Sequence, residues 1–137
     1  MIKPEATHLS ESKEDCLETI LALTQEAGVA RVGEIAERLH VSAPTVTTAL
    51  KALAKLKLVN YEPYRFVTMT DSGKRVAQLV TRRHRVLKRF LIEVLGLDEK
   101  AADENACRME HAVDRRVIRR ITAYLEKADG ASDQSGA

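Results

Sequence analysis

A thiol, a carboxylate and an imidazole fall close together near the end of the chain, at Cys107, Glu110 and His111. In an α-helix, residues spaced by three and four positions share a face, so this spacing predicts that the three side chains lie side by side. Sulfur, oxygen and nitrogen donors of this kind suit a first-row divalent metal. A second acidic pair, Asp15 and Glu18, has a three-residue spacing near the N-terminus. We therefore predict a metal site that joins the two ends of the chain and controls the segment between them.

That middle segment has the pattern of a DNA-binding domain. Apolar residues at helical spacing predict a first helix over about residues 12–27, capped by Ser12, and a second over residues 32–39. Ser42 is placed to cap a third helix. Apolar and polar residues then alternate over residues 58–70, which predicts a two-stranded hairpin. Three helices followed by a hairpin make a winged helix-turn-helix.

The remainder of the chain is predicted to be helical. A long helix begins at Thr70 or Asp71 and reaches about Leu95. Asp98 can cap the next helix, which carries the three C-terminal candidate ligands, and Asp114 can cap a last one, with Val117, Ile121 and Leu125 facing inward. These helices are too few to close a core alone, so we expect a helical dimer interface.

The fold class predicted is therefore mainly α, in two domains. A winged helix-turn-helix DNA-binding domain occupies residues 1–71, and a C-terminal helical metal-binding and dimerisation domain occupies residues 72–128. Residues 129–137 are rich in Gly, Ser and Asp, a composition typical of a disordered tail.

Charge and composition favour a DNA-binding regulator over other classes of protein. The net charge is only +2, but residues 40–61 and 73–92 are basic and contain no acid, whereas acids concentrate in residues 5–18 and 98–114. Basic segments suit phosphate contacts and acidic segments suit cations. No apolar run approaches the roughly 20 residues of a membrane span, and the 2 cysteines form no disulfide framework. A cytoplasmic protein that is not an enzyme is expected, because no nucleophile–base signature is present.

The start of the third helix is the predicted DNA-reading element. Helix-turn-helix proteins place the second helix of the motif in the major groove, with its first residues at the base edges. Hydroxyls there can contact phosphates or bases, and the methyl groups of Thr and Ala suit the thymine methyl. With no Arg or Gln for a bidentate base contact, specificity would rest partly on DNA shape. The predicted DNA contacts are Ser42, Ala43, Pro44, Thr45, Thr47 and Thr48, with Lys51 and Arg65 as phosphate contacts.

Several short sequence motifs occur along the chain in a specific order. They include Ser10–Ile20, Ser42–Val46, Tyr61–Arg65, Arg83–Arg85 and Ala106–His111. Together they resemble the diphtheria toxin repressor and manganese transport regulator family, over roughly residues 10–125. The resemblance implies a homodimeric, metal-activated transcriptional repressor that controls metal homeostasis and binds a palindromic DNA operator.

The resemblance also assigns roles to candidate ligands. Asp15 and Glu18 match the acids that the manganese branch uses in its first helix, and His84 matches the ligand on the long helix. Glu110 and His111 match the Glu-His pair that the branches share. Position 107 is Cys, as in the iron branch, where the manganese branch has Glu.

The candidate ligands differ in the metal ion that they favour. Hard oxygen donors at Asp15 and Glu18 favour Mn²⁺, whereas the softer Cys107 favours Fe²⁺, Co²⁺ or Zn²⁺. We favour Mn²⁺ because of Asp15 and the two-domain length, with Fe²⁺ second. Lys88 stands where the iron branch has an acid and Asp103 where it has a His, which argues against an ancillary iron-type site. The sequence leaves open whether one or two ions bind to each protomer.

Two other readings remain open at this point. The first is a winged-helix regulator that responds to a small ligand or to thiol oxidation at Cys16 and Cys107. The second is a metal-buffering protein that binds metal but no DNA.

Overall fold

The computed structural model describes residues 9–135, with side chains described as far as residue 130. The elements are α1 (Glu11–Ala27), α2 (Val32–Leu39), α3 (Ala43–Lys55), β1 (Val59–Tyr61), β2 (Val67–Met69), α4 (Asp71–Glu93), α5 (Glu99–Met109) and α6 (Arg115–Ser135). The prediction of a mainly α fold with one small hairpin is confirmed.

Contacts divide the chain into two units, residues 1–80 and residues 81–137. The division falls within α4, later than the domain boundary predicted after residue 71. Residues 1–8 of the predicted DNA-binding domain lie outside the described residues.

The first helix begins earlier than predicted because its cap is Ser10 rather than Ser12. Ser10 has an extended backbone and its side chain accepts a hydrogen bond from the backbone N–H of Lys13, whereas Ser12 already lies within the first turn of α1. At the other end, Gly28 adopts the left-handed conformation, with φ 86°, and ends the helix after Ala27, at the predicted boundary.

The helix-turn-helix forms as its sequence predicts. His40 follows α2 in the left-handed conformation, with φ 57°, and so turns the chain within three residues. Ser42 then caps α3 by accepting a hydrogen bond from the Thr45 N–H. One face of α3 is completely buried in the core of the first unit, through Val46, Leu50 and Leu53.

The wing is an antiparallel hairpin with a third short partner. Val59 pairs with Met69 and Tyr61 pairs with Val67. Val67 also forms an isolated bridge with Ala30, through N···O distances of 2.9 and 2.7 Å in the two directions. The base of the hairpin is therefore fixed to the segment between α1 and α2.

The first turn of α4 lies directly against the backbone of Leu58, the residue before β1. A Cβ atom added at Gly73 would lie 1.8 Å from the carbonyl oxygen of Leu58. The same oxygen accepts a hydrogen bond from the Thr70 N–H at 3.2 Å. Glycine is required at position 73 because no side chain fits between the helix and this backbone.

The second unit has its own core, formed by the later part of α4 with α5 and α6. Leu87, Leu91, Ala102, Ala106 and Ile118 are its buried residues. Val117 was predicted to face inward, but it is 41% exposed, and the neighbouring Ile118 is buried in its place. The buried stripe of α6 is therefore shifted by one residue at its start, although Leu125 is buried as predicted.

Two boundaries in this unit also differ from the prediction. The helix expected to carry the three candidate ligands ends at Met109, so Glu110 caps it and His111 lies in the following turn. At the other end, α6 continues to Ser135, so the segment predicted as a disordered tail from residue 129 is helical that far. Within residues 9–135, no helix is long and apolar enough to cross a membrane.

Candidate metal centre and DNA-reading surface

The predicted DNA contacts all lie in the first unit, at the start of α3 and in the wing. Seven of the eight are exposed and Thr47 is half-buried. Burial of the opposite face of α3 leaves these side chains pointing away from the core. The structure therefore presents this surface in a form that a DNA groove could reach.

The hydroxyls of this surface are already oriented by local hydrogen bonds. The oxygens of Ser42 and Thr45 lie 2.8 Å apart. Thr48 donates its hydroxyl proton to the Pro44 carbonyl at 3.0 Å, which leaves its oxygen as an acceptor and its methyl group exposed. A helix of this kind would offer DNA mainly acceptors and methyl groups, together with the ammonium of Lys51.

Acidic side chains in α1 form the first group of candidate metal ligands. Asp15 and Glu18 are half-buried, one helical turn apart. Glu14, which was not predicted as a functional residue, is only 4% exposed. Its spacing from the buried Leu17 and Leu21 placed it on the inner face of the helix, and this was the signal available in the sequence.

Cys16 lies beside these acids but is not a reactive thiol. It is 1% exposed. Burial, and then the charge of the adjacent Asp15 carboxylate, raise the pKa of the Cys16 thiol to about 11. At neutral pH it is protonated, and such a buried thiol is chemically inert.

In the second unit, Glu110 stands at the centre of a cluster of candidate ligands. Its side chain is 1% exposed, and its Oε1 lies 2.6 Å from Nδ1 of His84. Its other oxygen, Oε2, lies 3.4 Å from Nε2 of His111, whose imidazole is 5% exposed. The second unit thus brings together three of the six predicted ligands, although they come from α4, the end of α5 and the following turn.

His84 is held from both sides by carboxylates. Its Nε2 lies 2.8 Å from Oδ1 of Asp103. The hydrogen bond to Glu110 raises the pKa of His84 to about 9, supported by Asp103 and partly offset by burial. Without a metal the ring is therefore an imidazolium that donates to both acids. A metal can bind only a deprotonated ring nitrogen, so binding must release this proton.

Asp103 completes this arrangement and was missed as a positioning residue. It lies seven residues, or two helical turns, before Glu110, so the spacing places both on one helix face, but nothing in the sequence linked that face to His84. Its carboxylate also lies 3.4 Å from Nζ of Lys88. The two residues that depart from the iron-branch pattern therefore form an ion pair with each other.

Cys107 differs from its predicted neighbours in environment. It is an exposed residue of α5, whereas the side chains of Glu110 and His111 are buried. The predicted shared helix face does not extend to His111, because α5 has already ended at that position.

The donor set of the second unit fits a divalent first-row metal. Oε2 of Glu110 is buried, and no group in the described part of the chain donates a hydrogen bond to it. A buried carboxylate normally has all its oxygens paired or coordinates a metal ion. One carboxylate and two imidazoles are suitable donors for Mn²⁺, Fe²⁺ or Zn²⁺.

Comparison with known proteins agrees with this division of roles. Residues 8–67 match the family model described as iron dependent repressor, N-terminal DNA binding domain. Residues 70–133 match the model described as iron dependent repressor, metal binding and dimerisation domain. The chain is also 37% identical over 120 residues to the transcriptional regulator MntR of Escherichia coli O157:H7, covering 88% of this chain and 77% of that protein.

The chain belongs to the diphtheria toxin repressor and manganese transport regulator family. The predicted family is therefore confirmed, and its two matched domains are described as a DNA-binding domain and a metal-binding and dimerisation domain. A further family member, an uncharacterised HTH-type transcriptional regulator of Methanocaldococcus jannaschii, is 39% identical over 120 residues, which are 87% of this chain and 96% of that protein.

Other members of the family are longer than this chain. The diphtheria toxin repressor of Corynebacterium glutamicum is 36% identical over 118 residues, which cover 86% of this chain and 52% of that protein. A solved structure of a manganese-dependent transcriptional repressor in complex with manganese has a TM-score of 0.76 and 37% identity, and covers 83% of this chain and 52% of that one. The chain thus spans about half the length of these two relatives.

Proposed function

We propose that this protein is a metal-dependent DNA-binding repressor that controls metal homeostasis, with Mn²⁺ as its co-repressor. The observation that carries the proposal is Glu110, a buried carboxylate in contact with two imidazoles, in a chain that also presents a helix-turn-helix. A repressor of this kind would act in the cytoplasm, where the DNA is.

The proposed ligands are drawn from both units. They are Asp15 and Glu18 of α1, and His84, Cys107, Glu110 and His111 of the second unit. When bound, the divalent ion would supply a positive charge that offsets the negative charges of these carboxylates. Asp103 would hold the His84 ring in the orientation that presents its other nitrogen to the ion, as acids commonly do behind ligating histidines.

The coupling to DNA follows from where the ligands stand in the chain. Asp15 and Glu18 belong to the unit that carries α3, so holding them together with Glu110 would restrict how α3 is presented. Two recognition helices of a homodimer could then reach half-sites about one helical turn apart, or a multiple of it, on a palindrome. Linkage is reciprocal, so operator DNA should tighten metal binding by the same factor.

The dimer interface is proposed to lie in the second unit. Val94, Leu95, Val117 and Tyr124 expose between 39% and 57% of their surface there. The family model matched by residues 70–133 is a dimerisation domain. Apolar surface of this kind is typical of a surface that another protein covers.

Manganese is the first candidate metal, with Fe²⁺ second and Zn²⁺ and Co²⁺ after them. The relatives include MntR and a manganese-dependent repressor in complex with manganese. Carboxylate oxygens are the majority of the charged donors in the proposed set, and they suit Mn²⁺. Cys107 is the ligand that pulls the preference towards softer metals.

Among the rival readings, thiol oxidation at Cys16 is disfavoured by the structure, because a thiol with a pKa of about 11 is not a ready target for oxidants. A metal-buffering protein would have no use for the exposed surface of α3.

The test is anaerobic fluorescence anisotropy of a labelled duplex from the protein's own upstream region, with Mn²⁺, Fe²⁺ and Zn²⁺ titrated separately. We expect Mn²⁺ or Fe²⁺ to tighten DNA binding in the wild type and in Glu99→Gln, which changes an exposed acid in the first turn of α5. Glu110→Gln and Asp15→Ala should show no metal response. Equal DNA affinity with and without every metal would rule out the proposed function.

A further inference from the structure

The start of α6 carries a dense cluster of positive charge in the second unit. Four of the first six residues of this helix are arginines, and no acid occurs in α6 before Glu126. All four arginines are exposed. We call this surface the arginine face, and it consists of Arg115, Arg116, Arg119 and Arg120. It contributes none of the proposed metal ligands and none of the proposed DNA contacts, so neither of those roles accounts for it.

The arginine face occupies one continuous side of the helix. Successive residues of an α-helix are about 100° apart, so the four arginines cover an arc of about 140°. The buried residues Ile118 and Leu125 lie on the other side of α6. Val117 and Tyr124, which are proposed for the dimer interface, lie beside the arc rather than within it. The arginine face would therefore stay open to solvent when that interface forms.

The folded protein gains little from this arrangement of charge. Like charges spaced by four residues, as in Arg115 with Arg119, destabilise a helix, and positive charges in its first turn oppose the helix dipole. Only Arg116 has an acidic partner, since its Nη2 lies 2.8 Å from Oδ2 of Asp114. In the described part of the chain, no acid is paired with any of the other three arginines. An exposed cluster that costs stability in this way points to an anionic partner outside the protein.

The chemistry and spacing of the arginine face suit a row of phosphates. A guanidinium presents a planar fork of donors that matches a phosphate group, and it keeps its charge at every physiological pH. From Arg115 to Arg120 the helix axis advances about 7.5 Å. A DNA strand carries one charge about every 3.4 Å along its axis. The arginine face therefore matches two or three neighbouring phosphates of one strand.

We propose that the arginine face binds the phosphate backbone of double-stranded DNA without regard to sequence, so that the second unit adds an electrostatic contact to the base reading by α3. This inference rests on the proposed function. DNA is favoured over an acidic protein because an operator held by α3 is tethered to α6 through the same chain, which raises its local concentration there. Phosphate contacts carry no sequence information, so operator and unrelated DNA should gain affinity by the same factor.

The first experiment measures how DNA affinity depends on salt, by anisotropy in saturating metal. Each phosphate contact that is lost makes the slope of log affinity against log salt concentration shallower by about 1. The double variant Arg119→Gln with Arg120→Gln should therefore have a slope shallower by about 1 to 2, and it should bind about tenfold more weakly at low salt. Lys100→Gln with Arg108→Gln is the matched control, because it removes two exposed positive charges from α5. The control should keep the wild-type slope.

The second experiment separates a phosphate contact from base reading and from damage to the fold. The glutamine variant should lose the same factor on the operator and on a scrambled duplex of equal length, which leaves the ratio of the two affinities unchanged. Arg119→Lys with Arg120→Lys should bind within about threefold of the wild type, because a phosphate also accepts an ammonium. Without DNA, the glutamine variant should keep the wild-type metal affinity and the wild-type oligomeric state in sedimentation. Its thermal midpoint should equal that of the wild type or exceed it by roughly 2 °C, since two like-charge pairs are relieved.

The outcomes separate this inference from the proposed function. A wild-type salt slope in the glutamine variant, or a loss of affinity confined to the operator, would overturn the phosphate contact. A changed oligomeric state would assign the arginine face to a second copy of the chain and would overturn it too. Each of these results leaves metal-dependent DNA binding intact. A wild-type protein that binds no duplex in any metal would overturn both proposals.

Discussion

Replacing Gly73 with Ala should test how the wing is held against α4. The added Cβ would lie 1.8 Å from the Leu58 carbonyl oxygen and 2.8 Å from its carbon, both backbone atoms. The helix and the Leu58 backbone must therefore separate by about 1.5 Å to reach ordinary contact distance. That movement also breaks the hydrogen bond from the Thr70 N–H to the same oxygen.

The magnitude follows from three terms. Overpacking of this kind costs about 1 to 3 kcal/mol, and the lost hydrogen bond about 1 kcal/mol. Ala in place of Gly in a helix returns about 0.5 to 1 kcal/mol. The free energy of unfolding of Gly73→Ala should therefore be lower than that of the wild type by about 1 to 3 kcal/mol.

Gly33→Ala is the matched control, because Gly33 is also helical but a Cβ there meets nothing within 4 Å. It should stabilise the protein by the same 0.5 to 1 kcal/mol or so, so the two variants should differ by about 2 to 4 kcal/mol. Urea denaturation of the metal-free protein, followed by far-UV circular dichroism at one protomer concentration, measures both. Equal stability of the two variants would refute the close approach of α4 to Leu58.

The remaining predictions concern the second unit. Asp103→Asn should lower Mn²⁺ affinity about tenfold in isothermal titration calorimetry, because the His84 ring loses its orienting carboxylate; an unchanged affinity would contradict that role. Cys107→Ser should weaken Zn²⁺ binding more than Mn²⁺ binding, because a hydroxyl replaces a soft thiolate; unchanged affinity for both metals would remove Cys107 from the ligand set. Asp114 caps α6, and its hydrogen bonds with Arg116 hold the pKa of its carboxyl below the usual 3.8, so its stabilisation is present above that pH and is lost as the pH falls through the lowered value. The thermal midpoint of Asp114→Ala should therefore be lower than that of the wild type at pH 6, and the gap should narrow on acidification; a gap that does not depend on pH would contradict this.

Local signals predicted the DNA-binding unit well. Helix caps and strand alternation depend only on residues a few positions away, so a single sequence reveals them. Ser42, Gly28 and the alternating residues of the wing are signals of this kind. The cap at Ser10 was missed because Ser10 and Ser12 are equally suitable residues, and the choice depends on how the preceding chain enters the helix.

The candidate metal centre was harder to predict, because tertiary contacts decide it. No Gly or Pro marks the end of α5, so nothing local indicated that His111 would leave the helix. Asp103 became visible only when α4 placed His84 between two turns of α5. Tertiary packing likewise determines which face of α6 is buried, and it buries Ile118 rather than Val117.

The ion pair between Lys88 and Asp103 affects how the response of the protein would depend on metal concentration. A lysine ammonium is present at every metal concentration, so the positive charge beside Asp103 does not depend on supply. Because its carboxylate is already paired with Lys88, Asp103 orients His84 and is poorly suited to bind a second metal ion. We therefore expect a graded response, set by the occupancy of one site in each protomer, rather than a threshold that requires two ions to arrive in succession.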